Sequence, residues 1–206
     1  SVALKKAFSD FSASVGLDFH EYRPYRRDFT QLSNYGVTNG YDVMFLYSGN
    51  LNVPKELRLF TKATFVDPAT KVLDQNSLTH HDYFTESKVM GAIQFTQGST
   101  NSRSSATSYA LTNAVSSLIE IRGVGIGITS FKRRVYSTFL VAESYLKSAY
   151  ENKEAVELVV AKAIKTKDDA VVKSEREKAQ RKLTMIDIET NDKISSNTNI
   201  VFYCSF

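Results

Sequence analysis

Apolar and polar positions alternate along the chain in two rhythms, one of helical period and one of strand period. Val2, Leu4, Ala7, Phe8 and Phe11 recur at helical spacing and predict a helix over 2–12 laid against a sheet. Residues 14–19 read as a strand that stops at His20. The next stretch, "HEYRPYRRDFTQLSNYG" (20–36), is polar and aromatic with Pro24 and Gly36, and reads as a long functional loop. "YDVMFLYSG" (41–49) has too few polar residues for an exposed face and predicts a buried strand, after which Asn52-Val53-Pro54 opens a helix through about Asp67. Residues 80–108 show little periodicity and are expected to be loop-rich.

The second half repeats the alternation on a larger scale. A short helix over Ala106–Asn113 precedes a strand at 116–122, and Ser130 is placed to cap a helix with the apolar stripe Phe131, Val135, Phe139, Ala142, Leu146 and Ala149. Strand, glycine-rich loop and helix make an α/β unit. Residues 151–182 are charged and helix-prone, and 183–190 and 199–205 are expected to form two paired strands across "NDKISSNT".

Composition narrows the class. Of the 206 residues, 42% are hydrophobic, 12% are aromatic and three are proline, which suits one folded domain rather than a disordered chain. A soft boundary near 151 separates a main body, 1–150, from a charged helical and β extension, 151–206. No apolar run approaches the roughly 18 residues of a membrane span. The net charge of +4 is scattered among acids, which does not point to nucleic acid. Cys204 is the single cysteine, so an internal disulfide and a cysteine-based zinc site are both excluded. The chain opens Ser-Val-Ala-Leu-Lys-Lys, without an initiating methionine or a signal-type stretch, and is expected to begin inside a longer protein.

Two residues are out of place in this pattern. Glu120 interrupts the apolar strand of "VSSLIEIRGVGIG" (115–127), where a carboxylate is costly unless it is paired or working, and glycines 123, 125 and 127 after it suggest a loop pressed close to something. Nucleotide binding is the first test, and it fails: neither Gly-x-Gly-x-x-Gly nor Gly-Lys-Ser/Thr occurs. The other residue is His20, at the end of the strand in "GLDFHEY". Strand ends in an α/β sheet are where ligands bind, so the two side chains can converge on one crevice. The competing readings are a purely structural histidine and an ion pair between Glu120 and Arg122 or Arg133.

"LDFHEY" and "SLIEIRGVG", in that order and each on a strand, resemble two motifs of the zinc carboxypeptidase family, the group that contains carboxypeptidase A. The resemblance covers roughly residues 2–150. It implies an α/β fold, a mixed sheet with helices on both faces, here without its N-terminal strands. It also implies that His20 is a zinc ligand and Glu120 the base that takes a proton from zinc-bound water, whose pKa the metal lowers to about 7. Tyr22, Arg23 and Arg103 are then candidates to hold a peptide or amide substrate. Tyr22 and Tyr25 would supply apolar walls, and Arg23, Arg26 and Arg27 would favour acidic groups unless they are a basic surface loop.

The departures matter as much. The His-x-x-Glu that supplies the family's first two zinc ligands is absent, as are its two substrate-binding arginines, and no tyrosine stands near Gly98, where the family has one at the pocket lip. His80 and His81 are adjacent, point to opposite faces if on a strand, and are left out of the zinc site. The partners implied are a peptide or amide substrate and the missing N-terminal part of the same protein. An uncovered sheet edge would favour self-association. The isolated chain is expected to bind zinc weakly and to hydrolyse nothing. The resemblance favours a periplasmic or extracellular setting. A non-catalytic binding domain that keeps the fold is the alternative.

Overall fold

A computed structural model of the chain describes residues 2–47, 49–98, 100–123, 128, 130–166, 169–173, 177–179, 183–195 and 201–204. In chain order the elements are α1 (Val2–Phe11), β1 (Val15–Tyr22), β2 (Tyr25–Arg26), β3 (Val37–Asn39), β4 (Val43–Tyr47), α2 (Lys55–Thr61), a π-helical turn (Lys62–Val66), α3 (Asp67–Gln75), β5 (His80–Asp82), β6 (Phe84–Val89) and β7 (Ala92–Gln97). They continue with α4 (Ser105–Ala110), β8 (Val115–Arg122), α5 (Phe131–Glu151), α6 (Lys153–Lys165), β9 (Glu177–Ala179), β10 (Thr184–Asp187), β11 (Lys193–Ser195) and β12 (Val201–Cys204). No helix among the described residues is long and apolar enough to cross a membrane.

The central sheet is mixed, in the order β1-β8-β4-β5: β1 runs parallel to β8, β8 antiparallel to β4, and β4 parallel to β5. Side-chain alternation splits it into two faces. Val115, Ile119 and Ile121 of β8 join Val43 and Phe45 of β4 against Leu57 of α2, Phe65, Leu73 of α3, Tyr145 of α5 and Val159 of α6. On the other face Leu46 and Leu118 meet Ala106 of α4. There α1 lies over α4, with Phe8 stacked on Tyr109 at 4.1 Å, and a Cβ on Gly16 of β1 would come within 2.8 Å of Phe8. Helices therefore cover both faces, and the fold is the α/β architecture expected.

Two smaller four-stranded sheets pack beside it, ordered β11-β10-β3-β2 and β6-β7-β12-β9. Their shared core is Phe29, Val37, Met44, Phe84, Phe95 and Met185. Phe29 comes from the stretch expected to be a loop, and its fully buried ring carries the Arg26 guanidinium 3.7 Å above it. That stretch is held by its own strand, β2, and by a core residue.

Several expectations change for identifiable reasons. Strand β1 continues past His20 to Tyr22, because its backbone keeps pairing with β8 out to Tyr22↔Arg122. The helix opened near Pro54 does not end at Asp67. A π-turn at Lys62–Val66 leads without a break into α3, and its wider path comes just before Pro68, which has no N–H to donate. Residues 80–108 are not mainly loop: β6 and β7 form a hairpin with Val89 opposite Ala92, closed by Met90 and Gly91 at φ 49° and 84°. That turn needs two positive φ values, and Met-Gly lacks the Asn-Gly or Asp-Gly that advertises it.

Ser130 does not cap α5, since it sits at φ 54° and makes no side-chain cap bond. The stripe assigned to the core of α5 is largely outside: Ser137, Leu140, Val141, Ser144, Tyr145 and Ser148 are the buried positions, while Phe131, Val135, Phe139 and Leu146 are exposed. Small serines let α5 sit close against α3 and the sheet. The two C-terminal strands do not pair with each other. Strand β10 lies between β3 and β11, and β12 lies between β7 and β9. Gly125 and Gly127 lie outside the described residues. At Gly123 the close approach is real, since a Cβ there would stand 3.0 Å from the Tyr22 carbonyl oxygen.

One buried ionisable group couples the two small sheets. Glu86 of β6 accepts a hydrogen bond from Asn39 Nδ2 of β3 at 3.3 Å and lies 3.6 Å from the Arg26 guanidinium, which also donates to the Glu86 carbonyl at 2.7 Å. Burial outweighs these partners and pushes the carboxyl up from 4.5 to about 7. A raised folded pKa means that the native chain keeps a proton which the unfolded chain releases, so this stabilisation is complete below about pH 4.5 and fades as pH rises to about 7. Glu86→Gln should remove that dependence. Urea unfolding at about pH 5 and about pH 8 is expected to show the variant gaining on the parent by up to about 3 kcal/mol at the higher pH. An identical pH profile in both proteins would exclude a buried, proton-retaining Glu86.

Candidate functional site

The parallel pairing of β1 with β8 sets His20 directly beside Glu120, within an unbroken register from Val15↔Val115 to Tyr22↔Arg122. Since alternate residues share a face, Asp18 and His20 of β1, Leu118 and Glu120 of β8 and Leu46 of β4 all project away from the main core. They line a cavity of ≈ 420 Å³ closed by Leu4, Tyr83, Arg103, Ser104 and Ser105. Glu120 is central because β8 has a neighbour on each side.

The polar geometry is uneven. His20 Nε2 lies 3.1 Å from Asp18 Oδ2, and His20 Nδ1 lies 3.9 Å from Glu120 Oε1. His20 thus stands between two carboxyl groups, with Nε2 on the Asp18 side and Nδ1 on the Glu120 side. Glu120 is 8% exposed, and its Oε2 makes no hydrogen bond among the described residues. Burial raises its pKa above the ordinary carboxylate range; His20 pulls it down and Asp18 pushes it up. The hydroxyls of Ser104 and Ser105 are buried and unbonded at the same cavity. Three polar atoms without partners around one cavity are a concentration that stability alone does not favour.

The alternative partners of Glu120 are engaged elsewhere. Arg122 donates to Thr38 Oγ1 at 3.1 Å, and Arg133 donates to the Arg122 carbonyl at 2.7 Å and lies 3.6 Å from Asp42. The structural ion pair therefore does not form.

Of the sequence candidates, the fold gathers His20, Glu120 and Arg103 at the cavity. It places Tyr22 and Arg23 elsewhere. The Tyr22 hydroxyl donates to the Tyr41 carbonyl and its ring packs on the second core cluster, while burial holds its pKa far above normal. Arg23 is exposed in the link between β1 and β2. His80 Nε2 is 3.1 Å from Asp74, and His81 Nδ1 meets the Asp82 carbonyl at 2.7 Å; both belong to β5, on the far side of β4 from Glu120.

Tyr83 is a site residue that the pattern did not reveal. Its ring fills the space beside Gly98, where a Cβ would come within 3.0 Å of it, and burial together with Glu120 and Glu86 pushes its phenol up. Nothing in its sequence neighbourhood distinguishes it from the chain's other tyrosines. Asp18, Ser104 and Ser105 acquire meaning only from where they point.

The metal implied by the sequence motifs can be tested on this donor set. Among the described residues no three His, Cys, Asp or Glu side chains converge as a metal site. The cavity offers one imidazole lone pair beside one unpaired carboxylate oxygen, which fits a single ligand and a base rather than the three protein ligands a catalytic zinc needs.

No protein-family model matches the chain, and no solved structure matches it. Three similar curated proteins are fungal. A "Probable carboxypeptidase 2" of Arthroderma benhamiae and another of Trichophyton verrucosum are each 24% identical over 190 residues, covering 90% of this chain and 36% of their own length. "Carboxypeptidase 2" of Trichophyton rubrum is 24% identical over 168 residues, covering 79% of this chain and 30% of its own. The chain thus spans about a third of the length of the curated relatives it matches.

A buried carboxylate oxygen without a partner costs the fold about 1–3 kcal/mol. Glu120→Gln should therefore stabilise the chain by about 1 kcal/mol near neutral pH, and the gain should shrink as acid protonates the parent residue. Denaturant unfolding of both proteins measures it. A variant less stable than the parent would mean that the carboxylate serves the fold.

Proposed function

We propose that this chain is part of a zinc-dependent carboxypeptidase-like hydrolase that cleaves peptide or related amide bonds, with Glu120 as the general base and His20 as one metal ligand. The observation that carries the reading is the in-register pairing of His20 with a buried Glu120 whose Oε2 makes no hydrogen bond among the described residues. The distant likeness to fungal proteins named carboxypeptidase, over 90% of this chain for two of them, supports it.

His20 would hold the zinc together with ligands that the described residues do not supply. When bound, the metal would acidify water and polarise a carbonyl. The chain's own contribution is positional and electrostatic. Asp18, 3.1 Å from Nε2, is the carboxylate beside the ring that would help to orient it when the metal is bound. Glu120 receives a proton at its free Oε2, and a carboxylate held above its ordinary pKa is a better base near neutrality than a solvated one. Leu46, Leu118 and Tyr83 shield the Glu120 side of the cavity while half of the His20 side chain stays open to solvent, and Arg103, which lines the same cavity, would meet an anionic group of the substrate. Tyr22 acts from behind, as a tether between β1 and the Tyr41 backbone.

A binding domain without catalysis is the second reading, favoured by Gly98 where a pocket-lip tyrosine would stand in such a family. In the full-length protein Glu120→Gln is expected to lower hydrolysis by a factor of at least about 100 while metal content is unchanged, and His20→Ala to lose the metal itself. Activity assays run beside elemental analysis test both. Full hydrolytic rate in a zinc-loaded Glu120→Gln protein would sink the enzyme reading. A parent that holds zinc but turns over no peptide would favour the binding domain.

A further inference from the structure

The outward face of α5 is more apolar than a solvent-facing helix surface should be. Phe131, Val135, Tyr136, Phe139, Leu146 and Tyr150 are 56%, 50%, 46%, 56%, 73% and 87% exposed. With roughly 200 Å² of surface for a large aromatic and somewhat less for Val and Leu, this amounts to on the order of 700 Å² on one side of one helix. Monomers seldom leave more than about 300–600 Å² of contiguous apolar surface in water, and a standard interface buries about 800 Å² per partner. Beside the stripe runs a groove of ≈ 1030 Å³ between α5 and the α3 region, walled by Ala63, Pro68, Val72, Phe139, Leu146 and Tyr150.

The order of residues along the stripe is symmetric about its middle. Phe131 and Tyr150, Val135 and Leu146, and Phe139 and Ala142 are pairs placed equally far from a midpoint between positions 140 and 141. Two copies of α5 laid antiparallel across that midpoint bring each member of a pair against the other, twice over, as a two-fold interface requires. The 4-4-3-4-4 spacing from 131 to 150 keeps these residues on one side of the helix and reads the same from either end, which suits pairing with an antiparallel copy. The same alignment opposes the two helix dipoles. The groove is then available to the aromatic rings of the second copy.

We infer that the α5 face is a self-complementary surface on which two copies of this chain associate through antiparallel α5 helices. The inference is independent of any catalytic reading, because the cavity at Glu120 lies on the opposite face of the central sheet.

Sedimentation velocity on the 206-residue chain over about 1–100 µM is expected to show a reversible dimer. Phe139→Glu and Leu146→Lys, both at exposed positions, should each weaken it at least about tenfold with unchanged circular dichroism. In a Cys204→Ser background, Phe139→Cys with Ala142→Cys should give a disulfide-linked dimer under mild oxidation. A strict monomer over this range overturns the inference, whatever else covers the helix. So does a dimer that neither charge substitution weakens, or one that the paired cysteines fail to cross-link.

Discussion

The in-register parallel pairing of β1 with β8 is the constraint on which the rest of the site depends. A one-residue slip would turn His20 or Glu120 toward the opposite face and put a carboxylate into the main apolar core. What lies on that core face opposes such a slip: Val15, Leu17 and Phe19 on one strand and Val115, Ile119 and Ile121 on the other pack on the same side in this alignment. Apolar packing on one side of the sheet thus sets polar geometry on the other. The fold tolerates an unpaired Glu120 oxygen because the opposite face gains far more from burial than that oxygen costs.

Close packing under the sheet is achieved with small residues. Ser137, Ser144 and Ser148 share the buried face of α5 with Leu140, Val141 and Tyr145, and Gly16 admits Phe8 onto β1. Bulky side chains are correspondingly displaced outward on α5. The π-turn between α2 and α3 belongs to the same economy, since it carries the helical path around Phe65 and Val66 and keeps both in the core. Such features leave the cavity face relatively open, with α1 and α4 as its thin cover.

The two small sheets hold the cavity rim. Tyr83 lies between β5 and β6, its backbone bound both to Phe45 and to Gly98, so the hairpin's position determines how far the ring reaches toward Glu120. Hydrogen bonding of β12 to β7 and of β10 to β3 ties the end of the chain to this rim. The Arg26, Asn39 and Glu86 cluster joins the same sheets through groups that are only partly satisfied, which makes their packing sensitive to pH.

By itself the sequence determined the α/β class, the strands that carry His20 and Glu120, and the chemical oddity of a carboxylate in an apolar run. All three follow from local periodicity and from the cost of burying charge, which are legible in a short window. Tertiary structure decided what such a window cannot contain. The hairpin at 84–97 was illegible because its turn conformation is imposed by strand pairing rather than requested by Asn-Gly. Periodicity located α5 but not its inner face: three serines share the buried side with Leu140, Val141 and Tyr145, so the longer apolar stripe from Phe131 to Leu146 is not the one that packs inward. Tyr83, Ser104, Ser105 and Asp18 became site residues only when β4, β5, α4 and β1 were brought around one cavity. Tyr22, conspicuous in its motif, was drawn instead to the Tyr41 carbonyl, because a buried hydroxyl binds the acceptor its strand register offers.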